Sequence, residues 1–205
     1  MNPWAILRNT TTLIVVFVIC SNCKAQCKIT APKTICIGDL GYFNISNPAG
    51  SSVASAAWDF GDGYTANVQN TGHLYAKTGK FTVRCKLILT GGGTCEDSLQ
   101  LEVLKLPTAD FSFKQRDTCF GKNKVCVRNR STQATSLQPI IEKLVIWGDG
   151  SSSRIDSTGC YNYISISPYK LTFAVTDKMG CKHLKIAIVN IVPSLRAEFT
   201  AEGWA

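Results

Sequence analysis

The side chains with the clearest chemical potential lie in an acidic turn, Asp59-Phe60-Gly61-Asp62-Gly63, and at His73 shortly after it. Two carboxylates beside flexible glycines could supply oxygen ligands to Ca²⁺, which needs six to eight of them. Alternatively, Asp62 orders its own turn while Asp59 stays solvated, since Asp commonly bonds to turn backbone. His73 could act as a general base only with a nucleophile and an orienting partner. We predict no catalytic residue and no cofactor, and calcium at Asp59 and Asp62 is the one metal hypothesis.

Ten cysteines form the second chemical set. Two precede residue 25, and the other eight are Cys27, Cys36, Cys85, Cys95, Cys119, Cys126, Cys160 and Cys181. So many cysteines in a short chain with a signal-like start predict disulfides in an oxidising compartment. A zinc site is disfavoured because no Cys-x-x-Cys follows residue 23 and the only histidines are His73 and His183.

The whole chain carries a net charge of +8. Its positive charge is concentrated in the second half. Four basic residues alternate along one predicted strand and therefore share a face: Lys122, Lys124, Arg128 and Arg130. An anionic polysaccharide or surface could bind there, whereas the alternative is a solvated face that aids solubility. No aromatic residues alternate with these charges, so nucleic acid is not a predicted partner.

Short strands must position these groups, because alternating segments between glycine and proline turns dominate the chain and no segment has the pattern of a long helix. The runs over residues 81–89 and 98–104 alternate most clearly. A strand, an acidic glycine turn, a tyrosine corner and another strand recur with an offset of about 87–90 residues. A repeat of that length is a whole domain rather than a solenoid unit.

The repeated motifs resemble the PKD domain, an immunoglobulin-like module. The first copy carries the motif at Trp58, Asp59, Gly61, Asp62, Gly63, His73 and Tyr75. The second keeps Gly148, Asp149, Gly150 and Tyr163, with Trp147 replacing Phe60 and Tyr161 replacing His73. The resemblance implies an all-β chain of two tandem Ig-like (PKD-type) β-sandwiches with Greek-key topology. It also implies that Trp58 and Trp147 are core residues and that the motif tyrosine is a structural corner residue.

Aligning the two copies places Cys36 opposite Cys119 and Cys95 opposite Cys181, in loops that could meet at one end of a sandwich. We therefore predict the bonds Cys36–Cys95 and Cys119–Cys181, and by elimination Cys27–Cys85 and Cys126–Cys160. Other pairings stay open, because four cysteines per domain allow three connectivities. Each bond that closes a long loop should stabilise the fold by roughly 3–4 kcal/mol on the chain-entropy model.

Residues 1–25 are predicted to be a secretory signal peptide. Arg8 precedes a short apolar run, and small residues at Cys23 and Ala25 form a cleavage site. The run is too short to span a bilayer, and a lipoprotein anchor at Cys20 is the alternative. The sandwiches are predicted over residues 26–106 and, in a divergent form, 107–193. Residues 194–205 echo the start of the second domain and predict an incomplete third repeat.

These features predict a secreted or cell-surface module, without catalytic activity, for adhesion, protein interaction or spacing. An extracellular protein or polysaccharide is the expected partner, and no membrane span is expected. The alternative is an accessory domain pair that binds polysaccharide or protein substrate for a larger secreted hydrolase. A free-standing enzyme is the third class and has the least support.

Overall fold

The computed structural model describes residues 26–115 and 123–192, and every regular element in these two ranges is a β-strand. No helix in this part of the chain is therefore available to cross a bilayer. The predicted signal peptide, Cys119, Lys122 and the predicted third repeat lie outside the described residues.

The first sandwich packs a three-stranded sheet against a five-stranded one. The smaller sheet has the order β1-β3-β6, with β1 (Lys28–Thr30), β3 (Leu40–Ser46) and β6 (Asn70–Leu74). The larger sheet has the order β2-β8-β7-β4-β5, with β2 (Thr34–Cys36), β8 (Thr94–Leu104), β7 (Gly79–Leu89), β4 (Val53–Asp59) and β5 (Thr65–Ala66). Only β2 runs parallel to its neighbour, β8. The N-terminal segment thus contributes one strand to each sheet.

The second sandwich has a similar arrangement, in which the described residues form a three-stranded and a four-stranded sheet. One sheet has the order β13-β10-β9, with β13 (Thr158–Asn162), β10 (Lys124–Asn129) and β9 (Phe111–Gln115). The other has the order β12-β11-β14-β15, with β12 (Ser152–Arg154), β11 (Ile140–Ile146), β14 (Pro168–Asp177) and β15 (Lys182–Asn190). In both domains the chain crosses between sheets rather than completing one before the other. The predicted fold class, two tandem Ig-like sandwiches with Greek-key topology, is confirmed.

Alternating burial explains why these segments form strands with one face in the core. Along β3 the pattern is strictly exposed then buried, with Phe43 and Ile45 inside. Trp58 and Trp147 are among the largest fully buried side chains, one in each core. Each core closes between its own two sheets, so the sandwiches are separate hydrophobic units.

One disulfide joins the two sandwiches, and this corrects the predicted pairing. Cys36 bonds to Cys181, which lies in the hairpin between β14 and β15; the Cys36–Cys95 and Cys119–Cys181 predictions are therefore wrong. The register places Cys36 beside Leu104 at the far end of β8, whereas Cys95 lies at its start. Nine residues of strand separate those ends by about 30 Å. The predicted pairs assumed that both loops lie at the same end.

The other cysteines divide into a bonded pair and a buried set. Cys126 and Cys160 are bonded, as direct cross-strand partners on β10 and β13. Cys27, Cys85 and Cys95 are buried thiols, so the predicted Cys27–Cys85 bond is absent. The Cys27–Cys85 bond is absent because β1 lies alongside β8, which brings Cys27 next to the Cys95 thiol rather than to Cys85.

Candidate functional site

The Gly-Asp-Gly turn of the first sandwich uses its carboxylates to hold its own backbone. Asp59 Oδ1 accepts a hydrogen bond from Gly61 N at 2.9 Å, and Asp62 Oδ1 accepts one from Tyr64 N at 3.2 Å. These are the two-residue contacts expected of Asp in a tight turn. This geometry agrees with the turn-ordering interpretation of Asp62. Asp59 is exposed, as expected, but it also holds the turn backbone.

His73 closes over this turn from β6. Its Nε2 lies 2.8 Å from the second carboxylate oxygen of Asp62, and its ring stacks on Phe60 at 4.1 Å between centroids. Both oxygens of Asp62 therefore have partners within the protein. Among the described residues, no group of three or more His, Cys, Asp or Glu side chains could hold a metal ion. The geometry gives the calcium hypothesis no support at Asp59 and Asp62.

The second sandwich has an equivalent of the His73–Asp62 contact, made by a different pair of side chains. Tyr161 donates its hydroxyl to Asp149 Oδ2 at 2.7 Å and stacks on Trp147 at 5.1 Å between centroids. Burial opposes the ionised form of Asp149, but hydrogen bonds from Ser151 and Tyr161 outweigh it and lower its pKa. Tyr161 thus occupies the position equivalent to His73. A phenol cannot serve as the general base that an imidazole could be, so the shared role of the two residues is structural. A contact between an aromatic ring and the turn aspartate therefore orders the turn in both copies.

The motif tyrosines hold the same corner from inside. Tyr75 donates to the carbonyl of Phe60 at 3.1 Å, and Tyr163 donates to that of Trp147 at 2.7 Å. Burial, followed by the nearby charge of Asp149, raises the pKa of Tyr163 to about 12. Burial and the charge of Asp62 raise the pKa of Tyr75 as well. Both hydroxyls therefore stay protonated and remain donors.

Neither motif tryptophan offers a surface for stacking a sugar ring. Trp58 is 1% exposed and Trp147 is 0% exposed. Their indole N–H groups donate to the Val68 carbonyl at 2.8 Å and to Ser153 Oγ at 3.0 Å. These contacts match the core position that the sequence indicated.

An open polar groove crosses the outer face of the larger sheet in the first sandwich. Its volume is about 660 Å³, and outward-facing charges of both signs line it: Asp59, Arg84, Lys86 and Glu96. Lys86 Nζ and Glu96 Oε1 lie 3.0 Å apart across it. The sequence did not single out this groove, although outward-facing charges at alternate positions of predicted strands were a usable signal.

A basic face covers the outer side of the β9-β10-β13 sheet in the second sandwich. Lys124 and Arg128 are exposed on β10, on either side of Cys126, as alternation predicted. Lys114 on β9 is also exposed, and the register places it directly beside Cys126. Arg130 is exposed just beyond β10, near Asp110. We define the basic face as Lys114, Lys124 and Arg128; Lys114 was missed because it depends on strand register.

A network of polar side chains links the two domains at their junction. Gln138, which is 6% exposed, donates to the Lys105 carbonyl at 3.3 Å and to Asp177 Oδ2 at 3.2 Å. Asp177 Oδ1 accepts the backbone N–H of Cys181 at 2.9 Å and also orders the hairpin at Met179. Two elements of the second sandwich thus brace the residue that bonds to Cys36. The sequence did not predict this network.

Comparison with known proteins finds similarity to PKD domains over the first sandwich. Residues 24–103 match the family model of the PKD domain. The chain is similar to the PKD1 domain of the Vibrio cholerae metalloprotease PrtV, with 23% identity over 42% of this chain and 96% of that chain (TM-score 0.35). The PKD1 domain of Vibrio anguillarum Epp is 20% identical over 43% of this chain and 96% of that chain (TM-score 0.36). The Clostridium thermocellum CbhA fibronectin(III)-like modules are 11% identical over 84% of this chain and 100% of that chain (TM-score 0.44).

Proposed function

We propose that the two sandwiches form a stiff extracellular module, secreted or displayed at a cell surface, that spaces or presents binding surfaces and does not catalyse a reaction. The observation that carries this proposal is the Cys36–Cys181 bond between the domains. Both of its cysteines are buried, at 8% and 0% exposed. The match to the PKD domain over residues 24–103 supports the same class of function.

A short connection reinforces the bond. β8 ends at Leu104 and β9 begins at Phe111, so only a few residues separate the domains. One of them, Lys105, accepts the hydrogen bond from Gln138. Because a covalent tie and a short braced linker act on the same junction, rotation of one sandwich against the other would strain both. On the chain-entropy model, closing 145 residues disfavours the unfolded chain by about 5 kcal/mol.

Small-angle X-ray scattering of oxidised protein tests the stiffness. We expect the wild type to have one narrow distribution of dimensions, and C36A/C181A to have a broader and longer one. C126A/C160A is the matched control, because its bond lies within the second sandwich and its loss should leave the distribution unchanged. A wild-type distribution as broad as that of C36A/C181A would contradict the spacer proposal.

The basic face and the groove favour a second candidate function, binding of polysaccharide or protein substrate on behalf of a larger secreted hydrolase. Opposing carboxylates are few around Lys124 and Arg128, since their strand neighbours on β13 are uncharged. An anionic polysaccharide chain could lie along this face, and salt would weaken its attraction to the basic side chains. The mixed charges of the groove suit a neutral or zwitterionic segment.

Affinity measurements on immobilised anionic polysaccharides distinguish binding from solubility. The triple variant K114S/K124S/R128S should lose salt-sensitive binding. The control K28S/K77S/K80S removes the same charge from exposed positions of the first sandwich and should retain it. Equal binding by both variants would leave the basic face with a solubility role only.

A further inference from the structure

Three buried thiols share the core of the first sandwich: Cys27, Cys85 and Cys95. Cys27 immediately precedes β1, and Cys95 is the second residue of β8. They are 4% and 5% exposed. The strands carrying them belong to different sheets, so a bond between them would tie the two layers together.

Backbone geometry brings Cys27 and Cys95 together. Ile29 N donates to Asp97 Oδ2 at 2.7 Å, which fixes β1 beside β8. Ile29 lies two residues after Cys27, and Asp97 lies two residues after Cys95. Because side chains alternate along a strand, each cysteine faces the same side as the residue two positions on. This places the Cys27 and Cys95 thiols close enough to interact.

We propose that Cys27 and Cys95 form a third disulfide when the protein folds in an oxidising compartment. Cys27 and Cys95 lie close enough to interact, and a disulfide would bring their sulfur atoms to about 2 Å. The bond would anchor the three-residue strand β1 to the opposite sheet. This inference concerns the first sandwich alone and does not depend on the spacer function.

The reaction is a dithiol oxidation in which the disulfide of an oxidoreductase is the oxidant. One cysteine thiolate attacks that disulfide, forming a mixed disulfide and releasing one oxidant thiolate. The second cysteine thiolate then attacks the protein sulfur and expels the other oxidant thiolate. Two protons and two electrons leave the protein, and the oxidant becomes a dithiol.

Burial makes this reaction a folding event. Burial, together with the neighbouring Cys95 thiol, raises the pKa of Cys27 to about 12. Very little thiolate therefore exists once the core has closed, and the thiolate is the attacking species. The bond should form before β1 docks, and fully reduced folded protein should oxidise slowly.

Cys85 lies in the same core and also within electrostatic range of Cys95. It lies opposite Asp97 on the neighbouring strand, whereas Cys95 lies opposite Leu87. The bond between Cys27 and Cys95 would use both of those thiols and leave Cys85 without a cysteine partner among the described residues of this core. We therefore expect Cys85 to remain a thiol.

Peptide mapping of the full chain, folded oxidatively and alkylated in denaturant without reduction, tests the assignment. Trypsin places the three cysteines in separate peptides, which end at Lys28, at Lys86 and at Lys105. The expected result is a crosslink between the first and third, with alkylated Cys85. The Cys36–Cys181 crosslink in the same digest reports that the chain has folded.

Two variants sharpen the result. C85A should retain the Cys27–Cys95 crosslink, whereas C95A should leave Cys27 alkylated. The proposal is overturned if folded wild-type protein shows alkylated Cys27 and Cys95, or a crosslink from Cys27 to Cys85.

Discussion

The Cys36–Cys181 bond should shield most of this protein from stretching. A force applied at residues 26 and 192 enters the chain before Cys36 and leaves it after Cys181. The shortest covalent path between those points runs through the disulfide. Residues 37–180 lie inside the closed loop, so they carry no tension even if both sandwiches lose their packing. A spacer built this way cannot lengthen far while it remains oxidised.

The expected extension follows from chain geometry. With the bond intact, roughly 21 flanking residues can extend, which gives about 70 Å. In C36A/C181A the Cys126–Cys160 bond still closes 34 of the 145 residues, so roughly 111 more become extensible, or about 390 Å. If the Cys27–Cys95 bond also forms, it shortens the covalent path through C36A/C181A. The extra extension of this variant over wild type then falls to about 150 Å.

Single-molecule pulling with handles at residues 26 and 192 measures this directly. Adding reductant to wild-type protein during pulling should release the hidden length without any mutation. C126A/C160A is the matched control, because its bond lies inside the shielded loop and its removal should not change the wild-type extension. If oxidised wild type and C36A/C181A extend equally, the force-path reasoning fails.

Three further results are expected for the sandwiches. Gly61→Ala should cost about 1–3 kcal/mol more in urea unfolding than Gly63→Ala, because both glycines have positive φ but only at Gly61 would a Cβ lie 2.8 Å from the Thr82 carbonyl; equal losses would exclude the steric term. Tyr75→Phe should cost about 1–3 kcal/mol in thermal or urea unfolding, because it leaves a buried carbonyl unpaired; an unchanged stability would show that water replaces the donor. The pKa of Asp149 lies below its ordinary 3.8, so its stabilisation is present above that value and lost as pH falls through the folded pKa. Asp149→Asn should therefore flatten the acid limb of the second-domain stability curve, measured by tryptophan fluorescence, and an unchanged limb would contradict this.

Local features of the fold were predictable because each depends on nearby residues. The alternating segments around Trp58 and Phe81 indicated strands, and the acidic glycine turn indicated the tight connection between them. Repetition of the same order around Trp147 then indicated a second domain. Periodicity did not reveal β2, a three-residue strand that runs parallel to β8, since so short a segment carries little pattern.

The disulfide errors show where such reasoning fails. Pairing Cys36 within its own domain required knowing which end of β8 it approaches, and that is a matter of sheet register rather than spacing. The near absence of a linker was a usable signal, because it brings the exit end of one sandwich against a hairpin of the next. Lys114 was missed for the same reason, since only the β9–β10 register places it on the basic face.

The exchange of His73 for Tyr161 separates structural from chemical roles in this motif. Imidazole and phenol differ in basicity and charge, but both are flat rings that reach the same aspartate, Asp62 or Asp149, while stacking on an aromatic neighbour. A site selected for proton transfer would not tolerate that exchange, whereas a turn held by shape and one hydrogen bond would. The polar groups of both motifs thus maintain the corner of each sandwich. Under the proposed function, a partner would therefore bind the outer sheet faces, where the groove and the basic face lie.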